Sequence, residues 1–226
     1  MNEILIKKIL TISENNDVNS AIELQKDMLD YIQFKGKLKA LKTIAGVDIS
    51  YSMNTGFCAI VVIGFDDYEI KQVVCEKKEI AFPYIPGLLF FREFPVFYDA
   101  FKKLTKIPDI IMFDGHGLSH PRMMGIATMS GIVLDIPTIG CAKSPLYGDY
   151  KEPDNKKFSF SILTNKGRKV GYVLRSKEKC KPIYISSGYK ISPESALEIT
   201  KELITKYRLP LPTYYAHKYA TNFRNE

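Results

Sequence analysis

Asp114 is the residue whose surroundings point most directly to chemistry. It opens the run Asp114-Gly115-His116-Gly117-Leu118-Ser119-His120-Pro121 and follows Ile110-Ile111-Met112-Phe113, an apolar stretch that reads as a buried strand. The acid therefore stands at the carboxyl end of a strand, with glycines and a proline holding an open loop behind it, and that edge of an α/β sheet is where ligands bind. Asp48 lies in Ala45-Gly46-Val47-Asp48-Ile49-Ser50-Tyr51. Val47 and Ile49 face one way, so Asp48 faces the other. A carboxylate in an apolar strand is costly unless it is hydrogen-bonded, paired or bound to metal. Glu93 by itself reads as a solvated helix residue; with the two aspartates it becomes a third acid for the same edge. Such oxygen ligands suit Mg²⁺ or Mn²⁺, which can activate water and stabilise the leaving oxygen of a phosphodiester. Lys143 could hold a phosphate as a point charge, and His217 could move a proton or join the metal shell.

The elements that must position these groups follow from periodicity and punctuation. Asn16-Asp17 caps a helix with apolar Ile22, Leu24, Met28, Ile32 and Phe34. Residues 43–50, 56–65 and 68–77 read as an antiparallel meander, with Gly64 and Asp66-Asp67 in a turn. Phe82-Pro83-Tyr84-Ile85-Pro86-Gly87 excludes regular structure, because two prolines lock φ and remove two donors. Residues 88–104 read as a helix, kinked or late-starting at Pro95. Residues 110–114 form strand four, 123–134 a short helix and 137–142 strand five. This alternation predicts parallel pairing, with strands one and four adjacent at the centre of a doubly wound sheet. The basic stretch 149–181 reads as a hairpin, 158–164 and 170–175, turning at Asn165-Lys166-Gly167. A short strand, 183–186, follows. Ser192 caps a last helix, 193–207, and a proline-bearing tail carries His217.

Composition bounds the class. The chain has 226 residues with 32 Lys+Arg against 25 Asp+Glu, a net charge of +7 that fits nucleic-acid binding or a lysine-rich surface. Cys58, Cys75, Cys141 and Cys180 form no C-x-x-C pair and read as reduced thiols of a cytoplasmic protein. The N-terminal Ile4-Leu5-Ile6 and Ile9-Leu10 are interrupted by Lys7-Lys8, which fits neither a secretory segment nor a membrane span.

Several blocks, taken in order, resemble the endonuclease V family. They are Pro83-Tyr84-Ile85-Pro86-Gly87-Leu88-Leu89, then Phe91-Arg92-Glu93, then Asp114-Gly115-His116-Gly117 with His120-Pro121-Arg122, then Pro137-Thr138-Ile139-Gly140-Cys141-Ala142-Lys143-Ser144. The likeness runs from about Asp48 to Lys143 and more loosely to Ser187-Gly188 and His217. It implies an α/β, ribonuclease H-like fold with a mixed five-stranded central sheet, flanking helices and a basic β-hairpin insertion, in one domain spanning 1–226. It also implies a Mg²⁺-dependent cut of DNA containing deoxyinosine, at the second phosphodiester 3′ to the lesion, leaving 3′-hydroxyl and 5′-phosphate ends.

Carried over residue by residue, the resemblance makes Asp48, Asp114 and Glu93 metal ligands, and Lys143 and His217 further catalytic groups. Pro83, Tyr84, Ile85 and Pro86 would be a strand-separating wedge. Gly87, Leu89, Gly115, Gly117 and His120 would surround the flipped base. A proline-framed tyrosine suits a wedge, since its shape is fixed before contact. Hypoxanthine pairs less well than normal bases, so extruding it costs less. Lys156, Lys157, Lys166, Arg168, Lys169 and Arg175 of the basic hairpin are expected on backbone phosphates. The alternatives are the same enzyme acting on inosine-containing RNA, and a non-catalytic nucleic-acid-binding module. A monomer with no membrane contact is expected.

Overall fold

The computed structural model describes residues 3–34 and 41–226. One mixed sheet of eight strands, ordered β3-β2-β1-β4-β5-β8-β7-β6, organises the chain. Its strands are β1 (Thr43–Ser52), β2 (Thr55–Gly64), β3 (Ile70–Glu79), β4 (Ile110–Phe113), β5 (Thr138–Ala142), β6 (Phe160–Asn165), β7 (Arg168–Leu174) and β8 (Ile183–Tyr189). The helices are α1 (Glu3–Glu14), α2 (Val18–Asp27), α3 (Leu89–Phe101), α4 (Ile126–Leu134), α5 (Pro193–Glu202) and α6 (Leu211–Asn225). The meander β1-β2-β3 is antiparallel, and β1-β4-β5 are parallel neighbours as the alternation predicts. The five strands expected form one half of the sheet. The other half arises because the basic hairpin β6-β7 is not an appendage: β7 pairs with β8 and β8 with β5, so the ladder continues.

Strand alternation sorts side chains onto two layers. Ala45 and Val47 of β1 join Ile111, Phe113 and the phenylalanines of α3 in one core, beneath α1 and α4. Ile44, Ile110, Met112 and Ile139 point the other way, against α5 and α6. Pro95 lies inside α3, where its missing N–H costs about 3 kcal/mol. Phe90, Phe91, Phe94 and Phe97 are all fully buried, at roughly 1.5–3 kcal/mol per side chain, so packing outweighs the proline.

Three local readings change. The N-terminal run is helical: Ile6, Ile9 and Ile12 fall on one buried face and Lys7-Lys8 on the exposed one, so the lysines that interrupt it are the polar half of an amphipathic helix. The helix capped by Asp17, whose side chain accepts from Ser20 N at 3.0 Å, stops at Asp27 and passes into a 3₁₀ turn, Met28–Tyr31, well short of Phe34. The tail after residue 209 is α6, with Pro210 and Pro212 at its start, where a missing N–H goes unneeded.

Candidate active site and nucleic-acid pocket

The parallel register sets Val47 against Phe113, and Asp114 N donates to Val47 O at 2.9 Å, so Asp114, just past the end of β4, comes beside Asp48, where β1 runs on beyond its pairing with β4. Ile44, Gly46 and Asp48 share the face covered by α6. Gly46 is required there, because a Cβ would lie 2.0 Å from Pro212 O. With that close approach α6 tracks β1, and Ser50 Oγ donates to Ala220 O at 2.8 Å further along. Between the two contacts His217 reaches Asp48, its Nδ1 2.8 Å from Oδ2. A carboxylate only accepts, so Nδ1 is the donor and Nε2 is left to take a proton.

Lys143, just past β5, forms an ion pair with Asp114 Oδ2, and its Nζ lies 3.4 Å from His217 Nδ1. Asp48, Asp114 and His217 offer ligand atoms within 4.8 Å of one another. Glu93 comes from α3, on the opposite face. Its carboxylate accepts from Tyr51 Oη at 2.5 Å and is not part of that trio. Burial pushes the Glu93 carboxyl up to about 8; the Tyr51 hydrogen bond opposes the rise, and the charges of Asp48 and Asp114 add to it. Burial and then the Asp48 charge raise Asp114 to about 6, against the pull of Lys143. Asp48, Asp114 and His217 thus offer two carboxylates and an imidazole around one point, a donor set that fits a divalent cation, with Glu93 held outside it by Tyr51.

Beside these groups opens a cavity of about 370 Å³ lined by Tyr84, Ile85, Pro86, Gly87, Leu89, Asp114, Gly115, His116, His120 and Lys143, among others. Pro86 and Gly87 occupy the middle of a tight turn: Leu88 N donates to Ile85 O at 2.9 Å, and Gly87 has φ of +83°, the type II pattern. The turn presents Tyr84 to solvent, 69% exposed. Pro83 is exposed beside it, outside the lining residues. His120 accepts at Nδ1 from the Arg122 and Met124 amides, at 3.2 and 3.3 Å, so its proton is on Nε2, 3.0 Å from Gly87 O. Burial holds both His116 and His120 down to about 4, so each is neutral at pH 7, with the Arg122 charge adding to the effect at His120.

Other expected site residues are placed differently. Gly117 faces β8 and not the cavity: its N–H donates to Ser186 Oγ at 2.8 Å, and a Cβ would meet Ser187 O at 2.1 Å. Arg175 is turned inward. It is 9% exposed and donates to Glu152 Oε1 at 2.6 Å and Cys180 O at 2.5 Å, so its guanidinium ties the loop before β6 to the loop after β7 and is not free for phosphate. Lys169 pairs with Glu194, Arg168 stacks 4.3 Å above the Phe34 ring, and Lys156, Lys157 and Lys166 are exposed. Tyr51 and Gln25 were not singled out by sequence, and Arg122 was read only as part of the His120-Pro121-Arg122 block, with no role of its own. The alternation that points Asp48 at α6 also points Tyr51 at α3, and would have found it.

The family model for endonuclease V matches residues 25–218. The chain belongs to the endonuclease V family. Endonuclease V of Thermosipho melanesiensis is 50% identical over 200 residues, 88% of each chain, and that of Dictyoglomus turgidum 42% over 204 residues, 90% of each. Among solved structures, endonuclease V from Bacillus subtilis superposes with a TM-score of 0.86 at 33% identity, covering 90% of both chains. Endonuclease V from Ciona intestinalis, solved with DNA containing an inosine followed by a ribo-adenosine, gives a TM-score of 0.80 at 25% identity over 92% of this chain and 98% of that one. Membership makes the chain a nuclease, a hydrolase acting in DNA repair, on the ribonuclease H-like fold expected. Among the described residues no helix is long and apolar enough to cross a membrane.

Proposed function

We propose that the chain is a Mg²⁺-dependent endonuclease of DNA repair that recognises deoxyinosine and cuts the second phosphodiester on its 3′ side, with residues 1–226 acting as one monomeric domain. The observation that carries this reading is the meeting of Asp48, Asp114 and His217 within 4.8 Å, with Asp114 also lining the cavity beside Gly87 and Gly115. In this reading Tyr84 and its proline frame part the strands, and the extruded base enters between Gly87, Leu89 and Gly115. Backbone amides approach closely there, as a glycine-lined wall permits. The inosine-bearing DNA bound by the Ciona intestinalis relative supports the same substrate.

Asp48 and Asp114, with Glu93 beside them, would hold the divalent cation (Mn²⁺ can substitute for Mg²⁺). When bound it offsets the negative charge that develops on the phosphate. His217, oriented by Asp48 through Nδ1, takes a proton at Nε2 from the attacking water. Lys143 Nζ lies beside Asp114, where it neutralises a non-bridging phosphate oxygen. The water oxygen bonds to phosphorus as its proton passes to His217, the P–O3′ bond breaks and O3′ takes a proton from solvent, leaving a 3′-hydroxyl and a 5′-phosphate.

The test is incubation with inosine-containing and undamaged DNA strands, and with inosine-containing RNA, in Mg²⁺ and in chelator. Cleavage of the deoxyinosine strand alone, abolished by chelator, is expected. Preferred cutting of RNA would move the substrate to inosine-containing transcripts, and no cutting of any strand would leave a binding module.

A further inference from the structure

Gln25 of α2 is fully buried, yet it stands outside every motif that lines the cavity. Its Nε2 donates to Gly87 O and to Met124 O, both at 3.1 Å, and its Oε1 accepts from Arg122 Nε at 2.5 Å. Arg122 Nη2 in turn donates to Gly87 O at 2.8 Å, and His120 Nε2 reaches the same oxygen at 3.0 Å. One carbonyl of the Pro86-Gly87 turn is therefore held by three donors from two other segments. A buried carboxamide can join two carbonyls to a guanidinium because it both donates and accepts; a carboxylate accepts only, and a thioether does neither well.

We infer that Gln25 is a positioning residue for lesion selection: its carboxamide fixes how the Ile85–Leu88 turn, which follows Tyr84, sits against the His120–Met124 loop beside it in the cavity wall. The inference rests on the proposal above that this cavity receives the flipped base. A cavity of one fixed width discriminates a base by the fit of its edge, whereas a loosened one admits undamaged bases at less relative cost. Through Gln25, α2 thereby becomes part of the reading of the lesion.

The test compares the parent with Gln25→Glu and Arg122→Lys. It reads the ratio of kcat/KM on a deoxyinosine strand to that on the undamaged strand, with KM and kcat recorded separately and the unfolding midpoint as a control. Gln25→Glu keeps the acceptor for Arg122 but loses both donors; the ratio is expected to fall about tenfold, KM rising more than kcat drops. Arg122→Lys, which can reach only one of its two acceptors, should move the ratio the same way by less. The inference is overturned if both variants unfold cooperatively and keep the ratio within about twofold of the parent, or if kcat falls while KM stays fixed. Should Gln25→Glu fail to fold, Arg122→Lys decides on the same criteria. A parent that ignores deoxyinosine would instead overturn the proposed substrate.

Discussion

His217 Nδ1 lies 2.8 Å from Asp48 Oδ2, joining the last helix to the first strand. Three contacts in step produce it: Pro212 over Gly46, His217 on Asp48 and Ala220 on Ser50. From Gly46 to Ser50 the strand advances about 13–14 Å and from Pro212 to Ala220 the helix about 12 Å, so a helix lying along β1 stays in register with alternate positions on one face.

Gly46→Ala tests that alignment. Its Cβ would clash with the α6 backbone at Pro212, and the overpacking should cost about 1–3 kcal/mol. Cleavage should fall as well, because α6 can clear the clash only by carrying His217 away from Asp48. Chemical denaturation and single-turnover rates check both effects; a variant as stable and as active as the parent would contradict the packing.

Asp48→Asn and Asp114→Asn should each lower cleavage by at least about 10²-fold, the scale of losing one preorganised charge at a reacting centre, while inosine-strand binding largely survives. Binding isotherms beside rate measurements separate the two. Unchanged turnover would refute their role at the metal.

Tyr84→Ala removes a side chain that is 69% exposed, so stability should stay within about 0.5 kcal/mol of the parent. Preference for the inosine strand over an undamaged duplex should drop, most visibly in double-stranded substrate where strands must be parted. A competition assay with both duplexes reads it, and an intact preference would remove the wedge.

His120 gives a pH signature. Its folded value of about 4 lies below the ordinary 6.5, so the unfolded chain binds more protons between the two. Its contribution is complete above pH 6.5 and is lost as pH falls towards 4. Glu93 and Asp114, raised on folding, act with the opposite sign, so the effect is read as a difference. The stability gap between parent and His120→Gln should shrink from pH 7 to pH 4.5 in urea titrations, and a gap that widens would show that His120 is charged in the folded protein.

Much of the site was legible because its signals are local. Strand alternation turned Asp48 away from Val47 and Ile49, and an apolar run ending in Asp114-Gly115 marked a strand edge. The proline spacing around Tyr84 marked a rigid turn, which the Gly87 φ of +83° bears out. The same local reading failed where one signal has two meanings. Lys7-Lys8 broke an apolar run and also formed the exposed face of α1. Pro210 and Pro212 read as a broken tail but begin α6.

Sequence by itself therefore determined the central strands, the aspartates carried on or just after them and the family, since each is read from runs of neighbouring residues. Only the tertiary structure decided that His217 meets Asp48, that Glu93 is held by Tyr51, that Arg175 ties loops together and that Gln25 grips the Gly87 carbonyl. Each of those contacts joins segments distant along the chain. Which side chain arrives at a given partner is then set by how closely two backbones can pack, as at Gly46, and by which buried polar groups must find a hydrogen bond.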